Sequence, residues 1–89
     1  MPHTRFIETV KRVDDLIKRK ATGTPTEMAA RLGCSERTWF NLLDQLKTDY
    51  QFPIMYCRSR ECYYYTDEVP HWNDFVVKVL GSPAPILTL

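Results

Sequence analysis

The sequence predicts an α+β domain in which three helices precede a β-hairpin. Two patterns carry this reading: apolar residues recur at steps of three and four as far as Lys47, and beyond Pro53 the period drops to two. Length sets the scale, because 89 residues, 44% hydrophobic and 26% charged, hold one core and not two. Two Trp, five Tyr and four Phe supply bulk for that core and separate the chain from disordered compositions.

Residues 5–20 form the first predicted helix. Phe6, Val10, Val13 and Ile17 follow one another at steps of four, three and four, with Leu16 beside them and Glu8, Lys11, Asp14, Asp15 and Lys18 mostly opposite. The run Lys18-Arg19-Lys20 complements the negative end of the helix, and Gly23 follows it. Thr24-Pro25-Thr26-Glu27 then reads as a capping box: Thr24 caps, Pro25 takes the first helical position, and Glu27 reaches back to the cap amide. Met28, Ala29 and Leu32 form the apolar face of this second helix, and Gly33 supplies a left-handed ending.

Ser35 caps a third helix that runs to about Lys47, with Trp39, Leu42, Leu43 and Leu46 toward the core. Two helices joined by the short turn Gly33-Cys34-Ser35 match the arithmetic of a helix-turn-helix, with Cys34 in its small buried position. Thr48 to Phe52 follows without the usual terminating glycine.

In the hairpin, Ile54, Tyr56, Tyr63 and Tyr65 share one face and Met55, Cys57, Cys62 and Tyr64 the other. Folding about Ser59-Arg60 pairs 54 with 65, 55 with 64, 56 with 63 and 57 with 62, and places Arg58 and Arg60 at the tip. Ser59-Arg60 lacks the Asn-Gly or Asp-Gly chemistry of two-residue turns, so a wider tip is expected.

Residues 67–89 are read as a C-terminal extension of a domain spanning 1–66. Trp72, Phe75, Val76, Val79 and Leu80 fit a helical stripe, yet Phe75 to Leu80 fits a β-branched strand equally well, bounded by Pro70, Gly81, Pro83 and Pro85. Periodicity leaves both open. With Ile86, Leu87 and Leu89 beyond, the extension is expected to mediate homodimerisation or partner docking, or else to cover the hairpin. Phe6, Ile7 and Val10 offer a second surface for dimerisation.

Three helices and a hairpin with a basic tip make a winged helix-turn-helix. Arg12 to Ile17 (RVDDLI), Glu27 to Leu46 (EMAARLGCSERTWFNLLDQL) and Pro53 to Tyr65 (PIMYCRSRECYYY) resemble the small helix-turn-helix domains of DeoR-like regulators and the N-terminal domains of WYL-type transcription factors. The resemblance spans residues 12–65 and implies a small DNA-binding transcriptional regulator. Glu61 and Cys62 stand where the family's wing is usually Gly-rich.

In a helix-turn-helix the second helix of the pair enters the major groove. The outward set of the helix begun by Ser35 includes Arg37, Thr38, Phe40 and Asn41, together with Glu36, Asp44 and Gln45. Arg reads guanine bidentately, Asn reads adenine, and an aromatic ring meets a thymine methyl. Thr26 at the start of the preceding helix, and Arg58 and Arg60 on the wing, are the expected phosphate contacts.

The formal net charge of +1 is low for a nucleic-acid binder. It is unevenly distributed: residues 1–20 carry six basic and three acidic groups, while 66–89 carry one and three. The alternative expectation is therefore a winged-helix protein-interaction or assembly module without intrinsic DNA binding, using Phe40 and the apolar extension.

Other function classes find little support. His3 and His71 are isolated, and no catalytic triad, carboxylate pair or Gly-rich phosphate loop is discernible, so neither an enzyme, a cofactor nor a metal is expected. Three cysteines without a CxxC pair argue against a disulfide framework or a zinc site. Cys57 and Cys62 face each other on the hairpin, and free thiols are favoured over a cross-strand bridge or a soft-metal pair. No apolar run approaches the roughly 18 residues of a membrane span, and Arg5, Glu8, Lys11 and Arg12 do not fit a signal peptide, so a cytoplasmic protein is expected.

Overall fold

Helix α1 (Pro2–Lys18) opens a computed structural model that describes residues 2–81. Val10, Val13 and Ile17 are buried along one side, as their spacing predicts. The helix stops short of the predicted boundary because Lys20 takes the left-handed conformation, φ 56°. Its N–H donates to Ile17 O (3.0 Å), and that of Ala21 donates to Leu16 O (2.9 Å). This pair of bonds is a Schellman ending with lysine in the glycine position.

Gly23 is thereby released for a different task, at the head of α2 (Pro25–Leu32). Here the capping box forms: Glu27 N–H donates to Thr24 Oγ1 (3.2 Å) and Thr24 N–H donates to Glu27 Oε1 (2.8 Å). The Thr24 amide holds the Glu27 carboxyl below its ordinary range. Gly23 has φ 72°, and a Cβ built on it meets Glu27 Oε1 and lies 2.8 Å from Glu27 Cβ. Gly23→Ala therefore combines an unfavourable φ with a displaced cap, and a loss of about 2–3 kcal/mol is expected. Gly33 is also left-handed, φ 76°, but a Cβ there meets nothing within 4 Å. Gly33→Ala carries the backbone cost alone, about 1–2 kcal/mol. Denaturant unfolding of the two variants checks the order, and equal losses would mean that the capping box is unimportant.

Ser35 caps α3 (Glu36–Thr48), its Oγ accepting from Thr38 N–H at 3.1 Å. The α2–turn–α3 unit thus has the boundaries that its caps predict. At the far end Gln51 adopts φ 60° and Phe52 N–H donates to Leu46 O (3.0 Å), which turns the chain where no glycine is present.

Strands β1 (Ile54–Cys57) and β2 (Cys62–Tyr65) pair antiparallel in the predicted register, Ile54 with Tyr65 through Cys57 with Cys62. The tip takes four residues, Arg58 to Glu61, with Glu61 at φ 53°. The hairpin is anchored from beneath. Trp39 Nε1 donates to Tyr63 Oη at 3.0 Å, with the two rings edge-to-face at 5.2 Å. Thr22, fully buried in the α1–α2 connection, accepts from Tyr63 N–H at 2.8 Å and donates to Gly23 O at 3.2 Å. Tyr65 Oη donates to Asp14 Oδ1 at 2.7 Å, tying β2 to α1, and burial raises the Tyr65 phenol far above its usual value.

The fourth helix, α4 (Trp72–Leu80), extends the expected three. His71 caps it, Nδ1 accepting from Asn73 N–H at 3.2 Å, and Gly81 closes it. A strand would set Phe75 and Val77 on one face, whereas Phe75 is buried and Val77 is exposed. The helix packs against α1 because Phe6, Tyr50, Phe52 and Trp72 surround Phe75, with ring centroids 5.1–6.2 Å away. The described residues thus form an α+β fold of four helices and one two-stranded antiparallel hairpin. Pro83, Pro85, Ile86, Leu87 and Leu89 lie outside the described residues.

Candidate functional site

Helix α3 turns Trp39, Leu42, Leu43 and Leu46 toward the core, so Arg37, Asn41, Asp44 and Thr48 form the opposite, exposed stripe. Every residue predicted for the site is exposed: Thr26, Arg37, Thr38, Phe40 and Asn41 on the helices, Arg58 and Arg60 on the hairpin. They do not form one cluster. On the hairpin side of α3, Phe40 and Lys47 meet Met55 and Arg58 across an open cleft of about 360 Å³, with Leu43 and Ile54 also in its lining. On the other side, Thr38, Asn41 and Gln45 face Arg5 and Thr9 of α1 across a cleft of about 470 Å³.

Arg60 belongs to neither. It joins Lys20, Cys57, Cys62 and Tyr64 around a third cleft, of about 290 Å³. The two wing arginines therefore line different clefts, since the four-residue tip breaks the strand alternation that would set residues two apart on one face. Arg58 is placed with the α3 surface, and Arg60 with the end of α1.

Thr26 is engaged within the protein, its hydroxyl donating to the Glu36 carboxylate. This bond ties the start of α2 to the start of α3, and a phosphate at Thr26 has to compete with it. Thr38 is also engaged, since Ser35 Oγ donates to its hydroxyl at 3.1 Å and its N–H is the one held by the cap. Arg37, Arg58 and Arg60 differ. Among the described residues the ion pairs are Lys18–Asp14 (3.1 Å) and Arg19–Asp15 (2.7 Å), both at the C-terminal end of α1, so these three guanidinium groups face solvent without a carboxylate partner. Glu36 and Asp44 supply negative charge on the same helix.

Among the contributors to these clefts that escaped the sequence reading as site residues are Arg5, Thr9, Lys20 and Met55. Arg5 and Thr9 stand one turn apart on α1, a spacing that places them on one strip, but nothing local says that α3 lies alongside. Met55 had a visible signal, its place on the outward parity of the hairpin. Lys20 reaches the hairpin only because the left-handed ending of α1 turns the chain there.

Among the described residues no group of three or more His, Cys, Asp or Glu is placed to hold a metal ion. No helix among them is long and apolar enough to cross a membrane. Compared with protein-family models, with curated proteins and with solved structures, the chain matches none.

Proposed function

We propose that the protein is a winged helix-turn-helix regulator of the DeoR-like and WYL-type kind, which binds duplex DNA in the cytoplasm through α3 and the hairpin. The observation that carries this reading is that the guanidinium groups of α3 and the hairpin tip, Arg37, Arg58 and Arg60, are exposed and have no ion-pair partner among the described residues. In this reading α3 lies in the major groove. Arg37 and Asn41 meet guanine and adenine edges, Phe40 meets a thymine methyl, and Thr38 supports the approach. Arg58 holds the flanking phosphates beside α3, and Arg60 acts with Lys20 one step farther along the backbone. Glu36 and Asp44 oppose phosphate, so the affinity is modest and two copies are needed to read a site. Exposed Val77 and Leu80 on α4 are the apolar residues left for that homodimer, since Trp72, Phe75, Val76 and Val79 pack against the core.

A salt titration of binding to random duplex DNA, followed by fluorescence anisotropy, tests the proposal. Binding should weaken linearly on a logarithmic scale, and the double variant Arg58→Ala, Arg60→Ala should reduce the slope by about 2, near 0.9 per lost phosphate contact. Val77→Glu with Leu80→Glu should halve the sedimentation mass of the assembly. Absence of binding at low salt, or a slope that ignores the arginines, overturns the DNA reading.

One observation favours a second reading. Phe40 and Met55 are 46% and 48% exposed on the two walls of one cleft, an apolar pair suited to anchoring a protein partner. A winged-helix interaction module of this kind would bind through Phe40 with little dependence on salt.

A further inference from the structure

Cys57 and Cys62 end the two strands as direct cross-strand partners. Alternation fixes the kind of pair they form. Thr66 N–H donates to Pro53 O (2.8 Å), whereas Tyr63 N–H points away from β1 to Thr22, so the 56–63 pair is non-hydrogen-bonded and the 57–62 pair is hydrogen-bonded. Such a pair has its Cα atoms about 5.5 Å apart, inside the Cα range of about 4.4–6.8 Å of disulfides, while its Cβ atoms, about 5.5 Å apart, must close by about 1 Å for the bond to form. Both thiols are half-buried and line the same cleft as Lys20 and Arg60, two cations that favour a sulfur anion. Cys57 Sγ lies 3.4 Å from Ser59 Oγ, which donates to it once the sulfur is a thiolate. The Ser59 hydroxyl and the Arg60 amide together hold the Cys57 thiol below its ordinary range.

We propose that Cys57 and Cys62 are a peroxide-reactive dithiol, with Cys57 as the attacking sulfur and Cys62 as the resolving one. The Cys57 thiolate attacks one oxygen of a hydroperoxide. An S–O bond forms as the O–O bond breaks, the sulfur gives two electrons to the peroxide, and the departing hydroxide takes a proton from solvent. Cys57 is then a sulfenic acid. The Cys62 sulfur attacks it, an S–S bond forms as the S–O bond breaks, and the hydroxyl leaves as water with the Cys62 proton. Two thiols and one hydrogen peroxide become one disulfide and two waters. Cys34 sits apart, between α2 and α3, packed against the core. The dithiol does not depend on what the arginines bind, so the DNA reading and this one fail separately.

Tryptic mapping of the full chain after hydrogen peroxide treatment is a direct test, because Arg58 and Arg60 lie between the two cysteines. Cleavage leaves Cys57 in peptide 48–58 and Cys62 in peptide 61–78, and the expected product is these two joined, then separated by dithiothreitol. In Cys62→Ser the joined product is lost and dimedone labels Cys57. In Cys57→Ser neither the joined product nor a dimedone adduct on Cys62 should appear. Near-native circular dichroism checks that both variants fold. Sulfinic acid on Cys57 with Cys62 still alkylated, a Cys57–Cys57 link between copies, or equal dimedone labelling of Cys62 overturns the proposal.

Discussion

Phe75→Ala is expected to lose about 3–5 kcal/mol of stability, the range for removing a large aromatic side chain from a core. Phe75 is 2% exposed and touches the rings of Phe6, Tyr50, Phe52 and Trp72, which come from α1, the α3–β1 connection and α4 itself. Its removal opens a void that four surrounding rings cannot all collapse to fill. A domain of this size is stable by roughly 0.05–0.15 kcal/mol per residue, so the loss is a large fraction of the total and the unfolding midpoint should fall well below that of the wild type. Urea unfolding followed by far-ultraviolet circular dichroism measures it. A loss below about 1 kcal/mol would mean that α4 rests on the rest of the protein without contributing to its core. Truncation after Thr66 should be at least as damaging, since it deletes Phe75 with its helix.

Trp39→Ala is the second large effect, also about 3–5 kcal/mol. Trp39 is fully buried, and besides its volume it carries the bond from Nε1 to Tyr63 Oη. Trp39→Phe separates the two contributions: it keeps most of the ring and leaves the Tyr63 hydroxyl without this donor, for an expected loss of about 1–3 kcal/mol. The double variant Trp39→Phe, Tyr63→Phe removes both partners and should recover part of that loss, because no polar atom is then left unmatched. If the double variant is instead as unstable as the sum of the singles, the hydrogen bond contributes nothing.

Local chemistry made much of the fold legible. The caps at Thr24 and Ser35 marked their helices because a side-chain oxygen three residues ahead of a free amide acts within one turn. The register followed from parity, since a slip by one residue would carry Ile54 and Tyr63 out of the core. Helix endings were harder. Lys20 and Gln51 take left-handed conformations that side-chain type does not announce, and α1 ends earlier than the basic run suggests. For 72–80 the two periodicities tied, and the choice was made by distant partners, Phe6 on α1 and Tyr50 and Phe52 after α3.

The candidate site was legible in its composition and not in its arrangement. Each predicted residue is exposed, because exposure follows from the face of the helix or hairpin. Grouping depends on how α1 and the hairpin lie against α3. That geometry sends Arg58 and Arg60 to different clefts, brings Lys20 beside the cysteines, and engages Thr26 with Glu36.

A two-stranded sheet has two open borders at which a foreign strand can add. The Thr22 hydroxyl occupies the outward amide of Tyr63, in β2, and the threonine that does so is itself fully buried within the α1–α2 connection. Strand addition along β2 therefore requires breaking that bond and lifting the connection away. The same contact that docks the hairpin thus protects this border of the native protein against edge-to-edge aggregation. Loss of the Thr22 hydroxyl, as in Thr22→Val, would leave the Tyr63 amide buried without an acceptor while the connection still covers the border.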